Sequence, residues 1–233
     1  MTKIYCDIAD INLIKKFNKK KIVKGFTTNP TLMRKAGAKD YVGYSKQILK
    51  ITSKPVSCEV FADDIIGMIK QGKIISKWGK NVYVKVPIKN SKGQYTSKVI
   101  KELNENNIKL NITAVYNLKQ IRLILKNINQ KAKVIISIFA GRMSDAGIDP
   151  IPVLKKSISL SKKFKNVKIL WASTRESFNY IQAKQLKCHI ITVPPNIIEK
   201  IENFGKSTEQ LTVNTVKGFL KDSRKSKFKI SYT

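Results

Sequence analysis

Residues 81–87 read Asn81-Val82-Tyr83-Val84-Lys85-Val86-Pro87, an apolar, β-branched run interrupted by one lysine. The run has the look of a strand buried on both faces, which is the signature of a parallel sheet covered by helices. Lys85 is its anomaly. An ammonium is costly to desolvate, and burial favours the neutral amine that attacks a carbonyl to form a Schiff base. The plainer alternative is weighty, because only five of the 46 basic residues are arginines (Arg34, Arg122, Arg142, Arg175 and Arg224), which leaves 41 lysines that a folded chain keeps mostly in solvent.

Comparable segments recur on either side: Ile4 to Cys6, Ile22 to Phe26, Val56 to Phe61, Ile108 to Ile112, Val134 to Phe139, Ile169 to Ala172 and Ile190 to Val193. With Val82 to Val86 they make eight expected strands. Helix-compatible stretches lie between them, near Ile11 to Asn18, Thr31 to Lys50, Asp64 to Lys77, Gln94 to Asn106, Leu118 to Ile128, Pro150 to Lys163, Ser177 to Gln185 and Ile197 to Asn203. Strict alternation of eight strands with helices predicts an α/β fold, a closed (β/α)8 TIM barrel, rather than an open doubly wound sheet. The barrel is expected over residues 1–204 as a single domain. Residues 205–233 follow as a helical extension whose Leu211, Val213, Val216, Phe219 and Leu220 form an approximate apolar face, ending in a basic tail. That face is expected to pack on the barrel or on a neighbouring subunit.

Composition narrows the function. No segment approaches the roughly 20 apolar residues of a membrane span, and the N-terminus meets Asp7 before any leader-like stretch develops, so a soluble, cytoplasmic protein without membrane partners is expected. The net charge of +31 raises the question of nucleic acid. Its lysines are spread along the chain, clustered only at Lys19-Lys20-Lys21 and from Lys221 to Lys229, with no basic stripe interleaved with aromatics. The charge therefore reads as compositional drift on a solvated surface, and no nucleic-acid partner is expected. Cys6, Cys58 and Cys188 show no CxxC spacing and read as reduced core residues, while His189 and its neighbour Cys188 point to opposite faces of a strand and cannot share a metal. Gly205-Lys206-Ser207 lacks the preceding glycine of a phosphate loop, that position being Lys200.

In a barrel, reactive groups gather where strands end at the C-terminal face. Asp7 ends the first expected strand, Thr27-Thr28-Asn29-Pro30 follows the second, Glu59 lies in the third and Lys85 in the fourth. Asn111 and Thr113 close the fifth, Ser137 to Arg142 the sixth, and Ser173 to Arg175 the seventh. Singly these residues have ordinary explanations, Asp7 as a helix cap and Asn29 as a turn residue before Pro30. Together they direct polar groups toward one mouth. Arg142 and Arg175 each follow a strand, and paired guanidinium forks there suggest a phosphorylated substrate.

These motifs resemble the transaldolase family, including its small single-barrel members and the related fructose 6-phosphate aldolases. The likeness runs through Asp7-Ile8-Ala9-Asp10, Gly25-Phe26-Thr27-Thr28-Asn29-Pro30-Thr31-Leu32, Val84-Lys85-Val86-Pro87, Asn111-Ile112-Thr113-Ala114-Val115-Tyr116, Ser137-Ile138-Phe139-Ala140-Gly141-Arg142 and Ala172-Ser173-Thr174-Arg175. The resemblance implies a Schiff base on Lys85, Asp7 as acid/base at the cleaved carbon-carbon bond, and Glu59 with Thr113 handling the water of imine formation and hydrolysis. It also implies that Thr28, Asn29, Asn111, Ser137, Phe139 and Ser173 line the sugar site, and that Arg142 and Arg175 hold phosphate. The implied reaction moves a dihydroxyacetone unit from ketose phosphates of the sedoheptulose 7-phosphate or fructose 6-phosphate type to aldose phosphates, as in the pentose phosphate pathway. It requires no cofactor or metal, and small family members form homo-oligomers. Glu59 and Phe139 match transaldolases, whereas the aldolases carry Gln and Tyr there. The alternatives are an aldolase releasing free dihydroxyacetone and a non-catalytic barrel binding polyanions through its basic surface. The chain departs from the pattern at Ile8, Ile138, Trp171 and Thr174, and Trp171, sharing strand parity with Ser173, is expected to intrude on the barrel interior.

Overall fold

The computed structural model describes residues 1–227, 229 and 230. Its eight strands are β1 (Lys3–Asp7), β2 (Val23–Thr27), β3 (Val56–Glu59), β4 (Val82–Pro87), β5 (Leu110–Val115), β6 (Val134–Ile138), β7 (Val167–Trp171) and β8 (Ile190–Val193). They pair in parallel and in sequence order, and β8 returns to β1 to close the barrel. This is the (β/α)8 architecture the alternation predicts.

The helices are α1 (Ile11–Asn18), α2 (Pro30–Lys35), α3 (Tyr41–Ile51), α4 (Ile65–Ser76), α5 (Ser97–Glu105), α6 (Leu118–Lys126), α7 (Ala140–Asp145), α8 (Ile151–Ser161), α9 (Phe178–Gln185), α10 (Pro195–Glu202) and α11 (Thr208–Ser226). Several begin where a side-chain oxygen satisfies an orphan amide: Asp10 accepts from Leu13 at 2.8 Å, Asn29 from Leu32 at 2.9 Å and Asp64 from Gly67 at 2.7 Å. Two local differences from the sequence reading have physical causes. The single helix expected from Thr31 to Lys50 is two, because Gly37 adopts φ +77° and Asp40 caps a new start. The short α7 directly after β6 is an addition, because Phe139-Ala140-Gly141-Arg142 turns into a helix where a loop was expected.

Register and period together build the interior in layers. Tyr5, Tyr83, Ile135, Leu170 and Ile190 pack as one buried apolar cluster with Ala172, and Phe139 rests against it. Two residues further along the same columns come Asp7 after Tyr5, Lys85 after Tyr83, Ser137 after Ile135 and Thr192 after Ile190. Register aligns Asp7 with Thr27, Thr27 with Ser57, Glu59 with Lys85 and Lys85 with Asn111. The polar layer is therefore a ring. Gly25 is needed beneath it, since a Cβ there would lie 2.6 Å from the Tyr5 ring.

Trp171 corrects an expectation. It is buried, but it lines a cavity with Ser144, Ile148, Pro150 and Asn179 on the helix side, while its neighbours Leu170 and Ala172 face the interior. The parity argument failed because β7 stops at Trp171 and Ser173 takes φ +63°, so Ser173 reaches the mouth by a left-handed turn rather than by strand alternation. The three cysteines are free and buried, and burial pushes the Cys58 and Cys188 thiols up to about 12.

Two compact units are distinguished, Met1–Ile198 with the barrel and a second beginning at Glu199 that carries α11. Ser207 caps α11 in a reciprocal box with Gln210, and Leu211, Val213, Val216, Phe219 and Leu220 are exposed. The basic tail expected at the end extends to positions 228 and 231–233, which lie outside the described residues. Among the described residues no helix is long and apolar enough to cross a membrane.

Candidate active site

The C-terminal mouth opens into a cavity of about 320 Å³ bounded by Asp7, Asn29, Lys85, Asn111, Thr113, Ser137, Phe139, Arg142, Ser173 and Arg175, together with Thr27, Thr174 and Thr192. Lys85 is 7% exposed. Its Nζ lies 3.1 Å from Glu59 Oε2 and donates to the Thr28 carbonyl at 3.1 Å. Register sets Glu59, on the adjacent β3, directly beside Lys85, while Thr28 reaches it from the end of β2, one strand further round the barrel. Glu59 and Thr28 do not line the cavity; they back the lysine. The Thr28 hydroxyl is committed to the Ser57 carbonyl at 2.7 Å, so the site reaches this residue through its backbone alone.

Glu59 is itself held from behind. The Tyr41 hydroxyl donates to the Glu59 carbonyl at 3.0 Å and accepts from its N–H at 2.8 Å, satisfying the backbone where β3 ends. Tyr41 also packs on Phe61 and Trp78, with ring centroids 4.2 and 5.7 Å away. The sequence reading missed it because its function depends on α3 crossing the strand end.

Asp7 sits among hydroxyls. Thr27 Oγ1 donates to Asp7 Oδ1 at 2.7 Å and lies 2.6 Å from Thr192 Oγ1. A hydroxyl has one proton, so with Thr27 donating to Asp7, Thr192 donates to Thr27. Burial raises the Asp7 carboxyl above the ordinary carboxylate range, although the Thr27 hydrogen bond and the Lys85 charge act the other way. Thr192 was the residue missing from the eighth strand in the sequence reading. Its position two residues beyond Ile190 on the inward face was the available signal.

On the far side, Ser137 Oγ donates to Asn111 Oδ1 at 2.7 Å and Asn111 Nδ2 donates to Ser57 Oγ at 2.9 Å, which fixes the amide's orientation. Thr113 lines the cavity, and its buried Oγ1 has no hydrogen-bond partner among the described residues. Asn29 serves two masters: its oxygen caps α2, leaving its NH2 group as a donor at the cavity wall.

The arginines stand at the rim. The Arg142 guanidinium lies 5.3 Å from the Phe139 ring centroid, and Phe139 meets Tyr116 edge-on at 5.9 Å. Arg175 Nε donates to both carboxylate oxygens of Asp145 at 3.0 Å, and its Nη2 also contacts Oδ2. Hydrogen bonding from Arg175 holds the Asp145 carboxyl below its usual range. Asp145, on the unanticipated α7, thus occupies the fork expected to hold phosphate. Gly141 lets α7 approach so closely, since a Cβ there would fall 1.6 Å from the Ser173 carbonyl oxygen.

A family model described as Transaldolase/Fructose-6-phosphate aldolase matches residues 4–232. The chain belongs to that family. Among its curated relatives is a protein named probable transaldolase from Nitrosopumilus maritimus, 34% identical over 229 residues, covering 97% of this chain and 96% of the relative. A probable transaldolase from Methanococcus maripaludis strain C7 is 31% identical, with 94% and 96% covered. Among solved structures, a putative phosphonomutase from Burkholderia cenocepacia superposes with a TM-score of 0.57 at 8% identity, covering 93% of each chain. CdNal from Clostridium difficile, solved in complex with mannosamine, gives 0.55 at 15% identity, with 96% of this chain and 83% of that one covered. At such identities those two show the barrel fold alone.

Proposed function

We propose that this member of the family is a transaldolase that transfers a dihydroxyacetone unit between sugar phosphates through a Schiff base on Lys85. The observation that carries the reading is Lys85 Nζ, buried at the wall of a cavity shared with Asp7 and 3.1 Å from the Glu59 carboxylate. Glu59 accepts the proton the ammonium sheds, and the neutral amine adds to the ketose carbonyl. Loss of water from the adduct leaves a protonated imine, with Glu59 and the Thr113 hydroxyl as the groups that manage that water.

The imine then acts as an electron sink. Asp7, its affinity for a proton raised by burial, takes the proton of the hydroxyl on the fourth carbon as the bond between the third and fourth carbons breaks. The bonding pair moves into an enamine and an aldose phosphate departs. A second aldose phosphate enters, the enamine carbon attacks its aldehyde, and Asp7 returns the proton. Hydrolysis of the new imine frees the product ketose. Asn29, Asn111 and Ser137 are placed to hold hydroxyls of the three-carbon unit, and Arg142 and Arg175 to receive phosphate at the rim. The same reading makes the protein a homo-oligomer in which another copy covers the exposed apolar residues of α11.

Borohydride reduction in the presence of fructose 6-phosphate tests it. The expected result is one covalent adduct, mapped to Lys85 and absent from Lys85→Ala. An adduct on a different lysine, or none with any ketose phosphate, refutes the reading. Release of free dihydroxyacetone as fast as transfer to an added aldose phosphate would instead make the enzyme an aldolase.

A further inference from the structure

The opposite mouth of the barrel collects cations. Lys3, Lys133 and Lys168 sit at the N-terminal ends of the columns that continue through Tyr5, Ile135 and Leu170, so strand period directs them toward the barrel axis. With Lys131, Lys165 and His189 they border a cavity of about 600 Å³ that no Asp or Glu lines among the described residues. The lysines that look randomly scattered in the sequence converge here because one opens β1, one immediately precedes β6 and one is the second residue of β7.

A second, independent feature lies deeper in the same cavity. Tyr5 and Tyr83 line it at 4% and 8% exposure, and neither hydroxyl has a hydrogen-bond partner among the described residues. Both hydroxyls reach the cavity surface, where they stand as donors to water or to a ligand's oxygens. His189 adds another donor. Its Nδ1 accepts from the Ile169 N–H at 3.1 Å, so in the neutral ring the proton resides on Nε2.

We propose that this N-terminal mouth is an anion site, separate from the Lys85 cavity, that binds one small molecule carrying two or more phosphate groups. The ligand class follows from the donors. Five ammonium groups exceed what one carboxylate or phosphate neutralises, and their meeting around one cavity suits several phosphates in a compact molecule. Tyr5 lies two residues further into the barrel than Lys3 and shares its layer with Tyr83, so a ligand that meets both the lysines and the phenols must be small enough to enter the barrel mouth, as a small polyphosphate is. The site stands whether or not Lys85 forms an imine.

Calorimetric titration of inorganic tripolyphosphate into the full chain at about 150 mM chloride tests it, a salt level at which diffuse surface attraction is largely screened. One molecule per chain is expected. Lys133→Ala with Lys168→Ala should weaken binding about tenfold or more, whereas Lys70→Ala with Lys155→Ala, an equal change in charge at exposed barrel lysines that do not border the cavity, should leave it within about twofold. Tyr5→Phe with Tyr83→Phe, which removes only the two hydroxyls, should weaken it several-fold with an unchanged melting curve. Absence of binding at this salt, equal losses in the two lysine pairs, or tighter binding of a short DNA duplex overturns the proposal. So does loss of binding in Arg142→Ala with Arg175→Ala, which would place the anion at the other mouth.

Discussion

The two mouths of the barrel share their strand columns and treat charge in opposite ways. At the C-terminal mouth, Lys85 is met by Glu59, Arg175 by Asp145, and Asp7 by the Thr27 hydroxyl, each within hydrogen-bond or ion-pair distance. At the N-terminal mouth, Lys3, Lys131, Lys133, Lys165 and Lys168 border a cavity with no carboxylate. The contrast is between a buried lysine given a fixed counter-charge and exposed lysines given none. A buried reactive cation needs a fixed partner to exist at all, whereas an exposed group of cations is left for solvent or ligand to balance. Net charge says nothing of this difference; strand parity and register do.

The largest effect is expected at the buried carboxyl of the C-terminal mouth. Asp7→Asn should lower transfer by about 10²–10⁴-fold, the usual worth of a general acid/base, while leaving the borohydride adduct on Lys85 intact. It also carries a stability signature. The Asp7 pKa is raised from its model-compound value of 3.8, so the folded chain holds that proton more tightly than the unfolded chain does. Stability is therefore lost as pH rises from the unfolded value through the folded one, and Asn removes that loss. Thermal melts should find the variant more stable than the parent at neutral pH and matched to it at about pH 3, with each kcal/mol worth about 2–4 °C. A variant less stable at neutral pH would show that the carboxylate supports the mouth rather than straining it.

A smaller effect tests how the rim is assembled. Gly141→Ala sets a methyl group 1.6 Å from the Ser173 carbonyl oxygen and 3.1 Å from Arg175 Cγ, so α7 must move away from the loop after β7. Overpacking of this kind costs about 1–3 kcal/mol, visible as a lowered melting temperature. Displacing α7 also separates Arg142 from Arg175. KM for phosphorylated sugars should therefore rise, while trapping of unphosphorylated dihydroxyacetone on Lys85 stays near the parent rate. An equal fall in both would mean that the damage extends to the lysine itself.

The fold was legible because burial on both faces leaves a plain mark. Strands such as Val82–Pro87 and Val134–Ile138 are apolar but for one residue each and buried on both faces, and alternation with capped helices admits few topologies. Much of the mouth was legible too, since Asp7, Lys85, Asn111 and Ser137 are polar residues at inward positions of otherwise apolar strands. What escaped depends on contacts between elements. Tyr41 and Asp145 act from helices on the ends of strands remote in sequence, and pattern within one element cannot reveal such pairings. Trp171 and Ser173 escaped for a different reason, because a single left-handed residue reverses the face that parity assigns.

The smallest effect concerns the pair that most resembles a lock on the C-terminal mouth. Arg175 and Asp145 are about half exposed, so solvent screens much of their attraction. Their geometry still matters, because the Nε edge that Asp145 occupies is one a phosphate would use. Hydrogen bonding from Arg175 keeps Asp145 ionised below the usual carboxylate range, so the pair persists across neutral pH and yields only in acid. A phosphate entering the rim must therefore displace or share the fork. Asp145→Asn keeps the side chain's shape and removes the competing charge, and KM for sugar phosphates should fall about two- to five-fold with kcat nearly unchanged. A rise in KM would reverse the assignment, making Asp145 the residue that aims Arg175 at phosphate instead of the one that withholds it.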